Sequence, residues 1–164
     1  MIKFLLCIAI VAFTSLCGYL LAKKYRQKKN FFTQMVVFNE RFLSELTYFR
    51  RPIHEFVFSY TYHDEFLQLL KDYSRANLKH NVNMHEILND STYSFLKNDE
   101  KKIVLNYFSM LGKADSAAQK TYFSSMKEIL RSAEIGAITN YQKYGSLYIK
   151  IGFLIGLLIL ILII

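Results

Sequence analysis

At 164 residues the chain has room for one domain, and a composition 52% hydrophobic beside 21 Lys plus Arg fits a membrane-anchored protein better than a soluble one. A single Pro, no Trp and no repetitive or Ser-rich tract argue against a long disordered linker. Both cysteines, Cys7 and Cys17, lie in one apolar run ~15 Å apart along a helix axis, which excludes a disulfide scaffold and a cysteine metal cluster.

In chain order, Phe4 to Leu21 carries no charged side chain and spans ~27 Å as a helix, about the thickness of the hydrocarbon layer. Lys23, Lys24, Arg26, Lys28 and Lys29 follow at once. With those five and Lys3 set aside, 15 basic residues face 13 acidic ones, so the remainder is close to neutral. That excludes a nucleic-acid footprint, which needs a basic face spread over the fold. The run also outweighs Lys3, which predicts the amino terminus outside and residues 22–146 in the cytoplasm. At the bilayer surface these cations either meet anionic lipid, at ~1 kcal/mol each, or recruit a specific acidic partner, and the lipid reading is favoured. Cleavage of the first segment as a signal peptide is disfavoured by the lack of a small-x-small site before the cations. Cys17 leaves a second topology to weigh, a lipid-anchored or signal-anchored binding protein with its domain outside, although Leu16 sits where a lipobox wants Gly or Ala.

Phe31, Met35, Phe38, Phe42, Leu46 and Phe49 recur at spacings of three and four, and no breaker separates them from the first apolar segment. One helix from about residue 3 to about 50 is predicted, ended by Pro52. Residues 53–62 alternate like a strand, but nothing pairs with them, so a short helix is expected. Next comes a helix opened by Asp64 and Glu65 and carrying Phe66, Leu69, Leu70 and Tyr73. Asn83 is the expected cap of a helix with Met84, Ile87 and Leu88; Asn98 is the expected cap of another with Ile103, Val104, Tyr107, Phe108 and Leu111, closed by Gly112. The last helix, capped by Asp115 or Ser116, buries Phe123, Met126, Ile129 or Leu130, Ala133, Ala137, Tyr141, Tyr144 and Tyr148, and runs unbroken into an apolar segment over residues 147–164. Lys150 snorkels there to the interface. The expected whole is all-α: about a six-helix bundle whose first and last helices, 4–21 and 147–164, extend as transmembrane anchors.

Few constellations carry chemistry. His54-Glu55 and His85-Glu86 lack a second histidine four residues on, and no Gly-rich phosphate loop exists, so no catalytic site, metal or cofactor is expected. Gly152 and Gly156 form a G-x-x-x-G that lets membrane helices approach closely. Glu45, Arg50, Arg51 and Glu55 gather around Pro52, either as a solvated corner or as a docking corner for a cytoplasmic partner.

The whole chain resembles the stage III sporulation protein AB family of endospore-forming bacteria. The residues that carry the likeness are Gly18-Tyr19 with Ala22-Lys23 and Tyr25-Arg26, Leu43-x-Glu45, Pro52-Ile53-His54-Glu55, and Leu111-Gly112 with Asp115 and Gln119. Lys143-Tyr144 then leads to Gly152-Phe153-Leu154-x-Gly156-Leu157-Leu158, the most specific run. Arg51, where the family often has Thr, and a lone Glu134 in place of an acidic run depart from the pattern. The resemblance implies a mother-cell membrane protein of the engulfing forespore, part of a secretion-like channel complex. Its cytoplasmic fold would be similar to platform protein F of type II secretion and type IV pilus machines. It further implies no enzymatic activity, coupling of a cytoplasmic ATPase to other membrane proteins of the complex, and possible homo-oligomer formation. Pro52 and Glu55 would be helix-corner residues and Gly112 a hairpin turn.

Overall fold

The computed structural model describes residues 2–48, 53–78, 83–111 and 116–163, and every regular element among them is helical. In order these are α1 (Ile2–Tyr48), α2 (Ile53–Phe58), α3 (Asp64–Leu78), α4 (Met84–Asn89), a 3-10 turn (Ser91–Tyr93), α5 (Asn98–Met110), α6 (Ser116–Asn140), a π turn (Tyr141–Gly145) and α7 (Ser146–Ile163). The chain divides into two compact units, residues 1–29 with 136–164 and residues 30–135.

Within the unit over residues 30–135, α1 is covered on more than the single stripe its spacing predicts. Phe31, Met35, Phe38 and Phe42 are buried as expected, and Phe32, Val36 and Asn39 are buried beside them. Toward its end the pattern departs from expectation: Leu46 is half-buried while Glu45 is buried, and Phe49 lies outside the described residues. Phe38 is the hub, with ring centroids 5.3 Å from Phe56, 5.7 Å from Tyr62 and Phe66, and 6.1 Å from Tyr107. Such tilted and edge-on pairs each add ~0.5–1.5 kcal/mol beyond the area they bury. They give α2, α3 and α5 one common anchor on α1.

Three polar devices tie these helices together. The Gln34 side chain clamps the backbone of His63 at both ends: its Oε1 accepts from the His63 N–H at 2.6 Å, and its Nε2 donates to the His63 carbonyl at 3.1 Å. The clamp holds the chain where it turns into α3 through Asp64, at a positive φ of 50° that Asp tolerates better than most residues. Deeper in the core, Asn39 donates from Nδ2 to the Phe123 carbonyl at 3.2 Å and accepts the Tyr107 hydroxyl at 3.1 Å. One buried amide thereby ties α1, α5 and α6 together, satisfied at both atoms as a buried polar group must be. Tyr73 donates to the Leu111 carbonyl at 3.2 Å, which occupies one of the acceptors left open at the end of α5.

The caps follow the sequence with one correction. Asn83 caps α4, its side chain accepting from the Glu86 N–H at 3.4 Å. For α5 the cap is Lys97 and not Asn98, which is instead the first helical residue. The cause is Glu100, whose Oε2 reaches back to accept the Lys97 N–H at 2.7 Å and moves the start one residue earlier. In the last helix Leu130 is buried and Ile129 is 44% exposed, which decides between the two. Residues 53–62 are helical over Ile53–Phe58 and then turn away. The expected roles of Pro52 and Gly112 in ending helices, and of Asp115 in capping the last one, fall outside the described residues, while Ser116 is the first residue of α6. Neither the 3-10 turn nor the π turn was foreshadowed by the spacing of apolar residues.

Candidate functional site

The unit formed by residues 1–29 and 136–164 brings α1 beside the π turn and α7. Small residues set the approach. A Cβ built on Gly18 would lie 2.5 Å from the Tyr148 carbonyl oxygen, and one on Gly152 would lie 2.7 Å from the Thr14 carbonyl oxygen and 3.1 Å from the Gly18 Cα. Gly156 meets the Thr14 hydroxyl and the Val11 backbone in the same way. Gly152 and Gly156 thus both face α1. Their counterparts there, Thr14 and Gly18, form a small pair four residues apart that has no G-x-x-x-G signature in the sequence. The Thr14 hydroxyl is itself satisfied, donating to the carbonyls of Ile10 and Val11 at 3.1 Å.

Above this crossing sits a layer of tyrosines. Tyr25 lies 5.6 Å from Tyr144 and 5.7 Å from Tyr148, and the latter two are 6.4 Å apart, a three-ring cluster. Tyr19 faces the Arg26 guanidinium, and the Lys29 ammonium sits 4.9 Å from the centre of the Tyr141 ring. Amphipathic rings gathered where apolar helices meet cations is the arrangement found at membrane–water interfaces.

Charge is divided along the same boundary. Residues 1–29 and 136–164 hold Lys3, Lys23, Lys24, Arg26, Lys28, Lys29, Lys143 and Lys150 and not one Asp or Glu. The entire net charge of +8 therefore resides in this unit, and the other 13 cations balance the 13 acids of residues 30–135. Among the described residues one continuous helical stretch, Ala117–Ile161, is long and apolar enough to cross a membrane. Only 17% of its apolar window is buried, where the core helix of a soluble protein would be mostly covered.

The expected docking corner is only partly visible. Glu55 is exposed on α2, whereas Glu45 is 2% exposed on α1 and is therefore not available at a surface. Arg50, Arg51 and Pro52 lie outside the described residues. His63 and His85 are exposed, His85 bonding Asn89 through Nδ1 at 3.1 Å, and among the described residues no three His, Cys, Asp or Glu side chains gather as a metal site. The strongly shifted groups are core tyrosines: burial pushes the Tyr73 phenol up to about 12 and also raises those of Tyr93 and Tyr107.

Comparison with curated proteins and with solved structures gave no match. The sequence profile described as stage III sporulation protein AB matches residues 3–164, effectively the whole length. The chain belongs to the stage III sporulation protein AB family.

Proposed function

We propose that this sporulation protein is a non-enzymatic membrane platform, anchored in the mother-cell membrane by α1 and α7 and coupling a cytoplasmic ATPase to membrane partners of a secretion-like complex. The family match over the whole chain carries the reading. Support comes from the division of charge: a neutral, aromatic-cored helical unit set between apolar segments whose flanks hold every unbalanced cation. A rigid core of this kind transmits force through packed helices, and the positive flanks orient it toward the cytoplasm. Lys23, Lys24, Arg26, Lys28, Lys29 and Lys150 would lie at headgroup level, and Gly152 and Gly156 would pack the anchors. The core is read as similar to platform protein F, and of the docking-corner residues that are described, Glu55 is the one exposed to a partner.

Deletion of residues 30–135 with both apolar segments retained tests the coupling. The truncated chain should still fractionate with membranes while the ATPase no longer co-sediments with it. Undiminished recruitment of the ATPase would contradict the platform role.

A further inference from the structure

The unit holding residues 1–29 and 136–164 contains a recess of about 200 Å³ that neither the helix pairing nor the platform role uses. Tyr19, Lys23 and Arg26 reach it from one face of α1, at the four- and three-residue spacing that aligns side chains on a helix. Gln142 and Ser146 reach it from the π turn and the first turn of α7. The buried Ala22 supplies a floor with little side chain to fill the space.

The π turn shapes this recess. Five residues wound wider than an α-helix interrupt an otherwise continuous α6–α7 rod, a distortion that costs stability and recurs at functional sites. Tyr141 folds its ring across Gly145, where an added Cβ would lie 2.9 Å from the ring. With no side chain at Gly145 the ring settles there unobstructed, and it walls the recess while carrying the Lys29 ammonium on its face.

Its charge has no anionic answer among the described residues. Arg26 donates one N–H to the Tyr19 hydroxyl at 3.4 Å, which leaves most of its five donors for something else. Lys23 has no ion-pair partner among the described residues, and the whole unit lacks a carboxylate side chain. Two cations, an amide and a hydroxyl converging on a cavity this small describe a site for an oxyanion with polar substituents. Arg is suited to bind phosphate oxygens in pairs and Lys to neutralise them. The depth identifies the source. Lys23 comes two residues after the end of the apolar Phe4–Leu21 run, and Ile149, which also borders the recess, precedes the apolar run from Ile151.

We propose that this recess is a specific site for the phosphate headgroup of an anionic phospholipid. Lys23 and Arg26 hold the phosphate oxygens, and Gln142 and Ser146 hold the hydroxyls beyond it. The inference rests on these segments lying in a bilayer. It goes further than general attraction of a basic run to a charged surface, because it requires one bound lipid and a particular pair of cations.

The test uses the full-length chain in phosphatidylcholine nanodiscs doped with phosphatidylglycerol, with lipids retained after mild delipidation counted by native mass spectrometry. The wild-type chain should retain one phosphatidylglycerol. Lys23→Gln/Arg26→Gln should weaken retention at least tenfold. Lys24→Gln/Lys28→Gln, which removes the same charge from headgroup-level cations that do not line the recess, should weaken it at least threefold less than the recess pair does. Equal losses in the two variants would overturn the site in favour of diffuse electrostatics. Glycerol 3-phosphate should not displace the lipid at equal concentration; if it does, the recess takes a soluble phosphate and the lipid assignment is wrong. Flotation with pure phosphatidylcholine vesicles separates the underlying reading: a chain that fails to float is not a membrane protein, and the site falls with that reading. A chain that floats yet retains phosphatidylcholine as well as phosphatidylglycerol overturns the site alone. Matching near-ultraviolet circular dichroism of the two double variants establishes that both are folded.

Discussion

Replacing Gly152 and Gly136 by alanine should change stability in opposite directions, although both glycines are helical. At Gly152 the new Cβ would sit 2.7 Å from the Thr14 carbonyl oxygen and 3.1 Å from the Gly18 Cα. Carbon–oxygen contacts of this type settle at ~3.3–3.6 Å, so α1 and α7 must separate by roughly 0.6–0.9 Å. A gap of that size forfeits about a quarter to a half of each van der Waals contact along the crossing. Overpacking of this kind costs ~1–3 kcal/mol, against which the better helix propensity of alanine returns at most ~1 kcal/mol. Gly136 has nothing within 4 Å of the same position, so alanine there brings only the propensity gain of ~0.5–1 kcal/mol. Thermal unfolding in dodecyl maltoside, followed through the near-ultraviolet dichroism of the tyrosines, reads both. Gly152→Ala should lower the midpoint and Gly136→Ala should raise it. Equal rises in the two variants would refute the close crossing of α1 and α7.

Tyr107→Phe should cost ~1–3 kcal/mol by leaving the buried Asn39 Oδ1 without its donor, and Asn39→Leu added to it should cost less than the two single losses summed, as a double-mutant cycle in urea would measure. Phe38→Ala should cost ~3–5 kcal/mol, because a fully buried ring that joins α2, α3 and α5 to α1 leaves a cavity no neighbour can fill; a chain that stays folded at unchanged midpoint would contradict the hub. Alkaline pH should unfold the protein: the folded Tyr73 phenol titrates near 12 and the unfolded one near 10, so the folded state binds more protons in that window. Its contribution is complete below pH 10 and is lost as pH rises toward 12, with phenolate absorbance at 295 nm appearing together with loss of helicity.

Much of the fold was legible because long apolar periodicities leave little choice. The stripe from Phe31 to Phe42 needed only its three- and four-residue spacing, and the unbroken run into it from Phe4 foretold one continuous α1. What escaped was set by contacts distant in sequence. Asn39 and Glu45 look like solvated helix positions, yet tertiary packing buries both, Asn39 against Tyr107 and Phe123. The cap of α5 moved because a carboxylate three residues on outcompeted a good capping residue. The π turn has no composition of its own, and the seating of the Tyr141 ring over Gly145 is recognisable in the sequence only once the two are known to meet. At the site, the cations and the G-x-x-x-G were plain in the sequence. Their organisation was not: the matching Thr14–Gly18 pair on α1 and the tyrosine layer emerge only when the two ends of the chain are brought together.

The most direct measurement is the side of the membrane on which residues 30–135 lie. Ser91, exposed in the 3-10 turn, becomes the single labelling site when Ser91→Cys is combined with Cys7→Ser and Cys17→Ser. A membrane-impermeant maleimide should leave this cysteine unlabelled on intact mother cells and label it fully after lysis. Labelling on intact cells would put the domain outside, away from any ATPase, and would contradict the platform account.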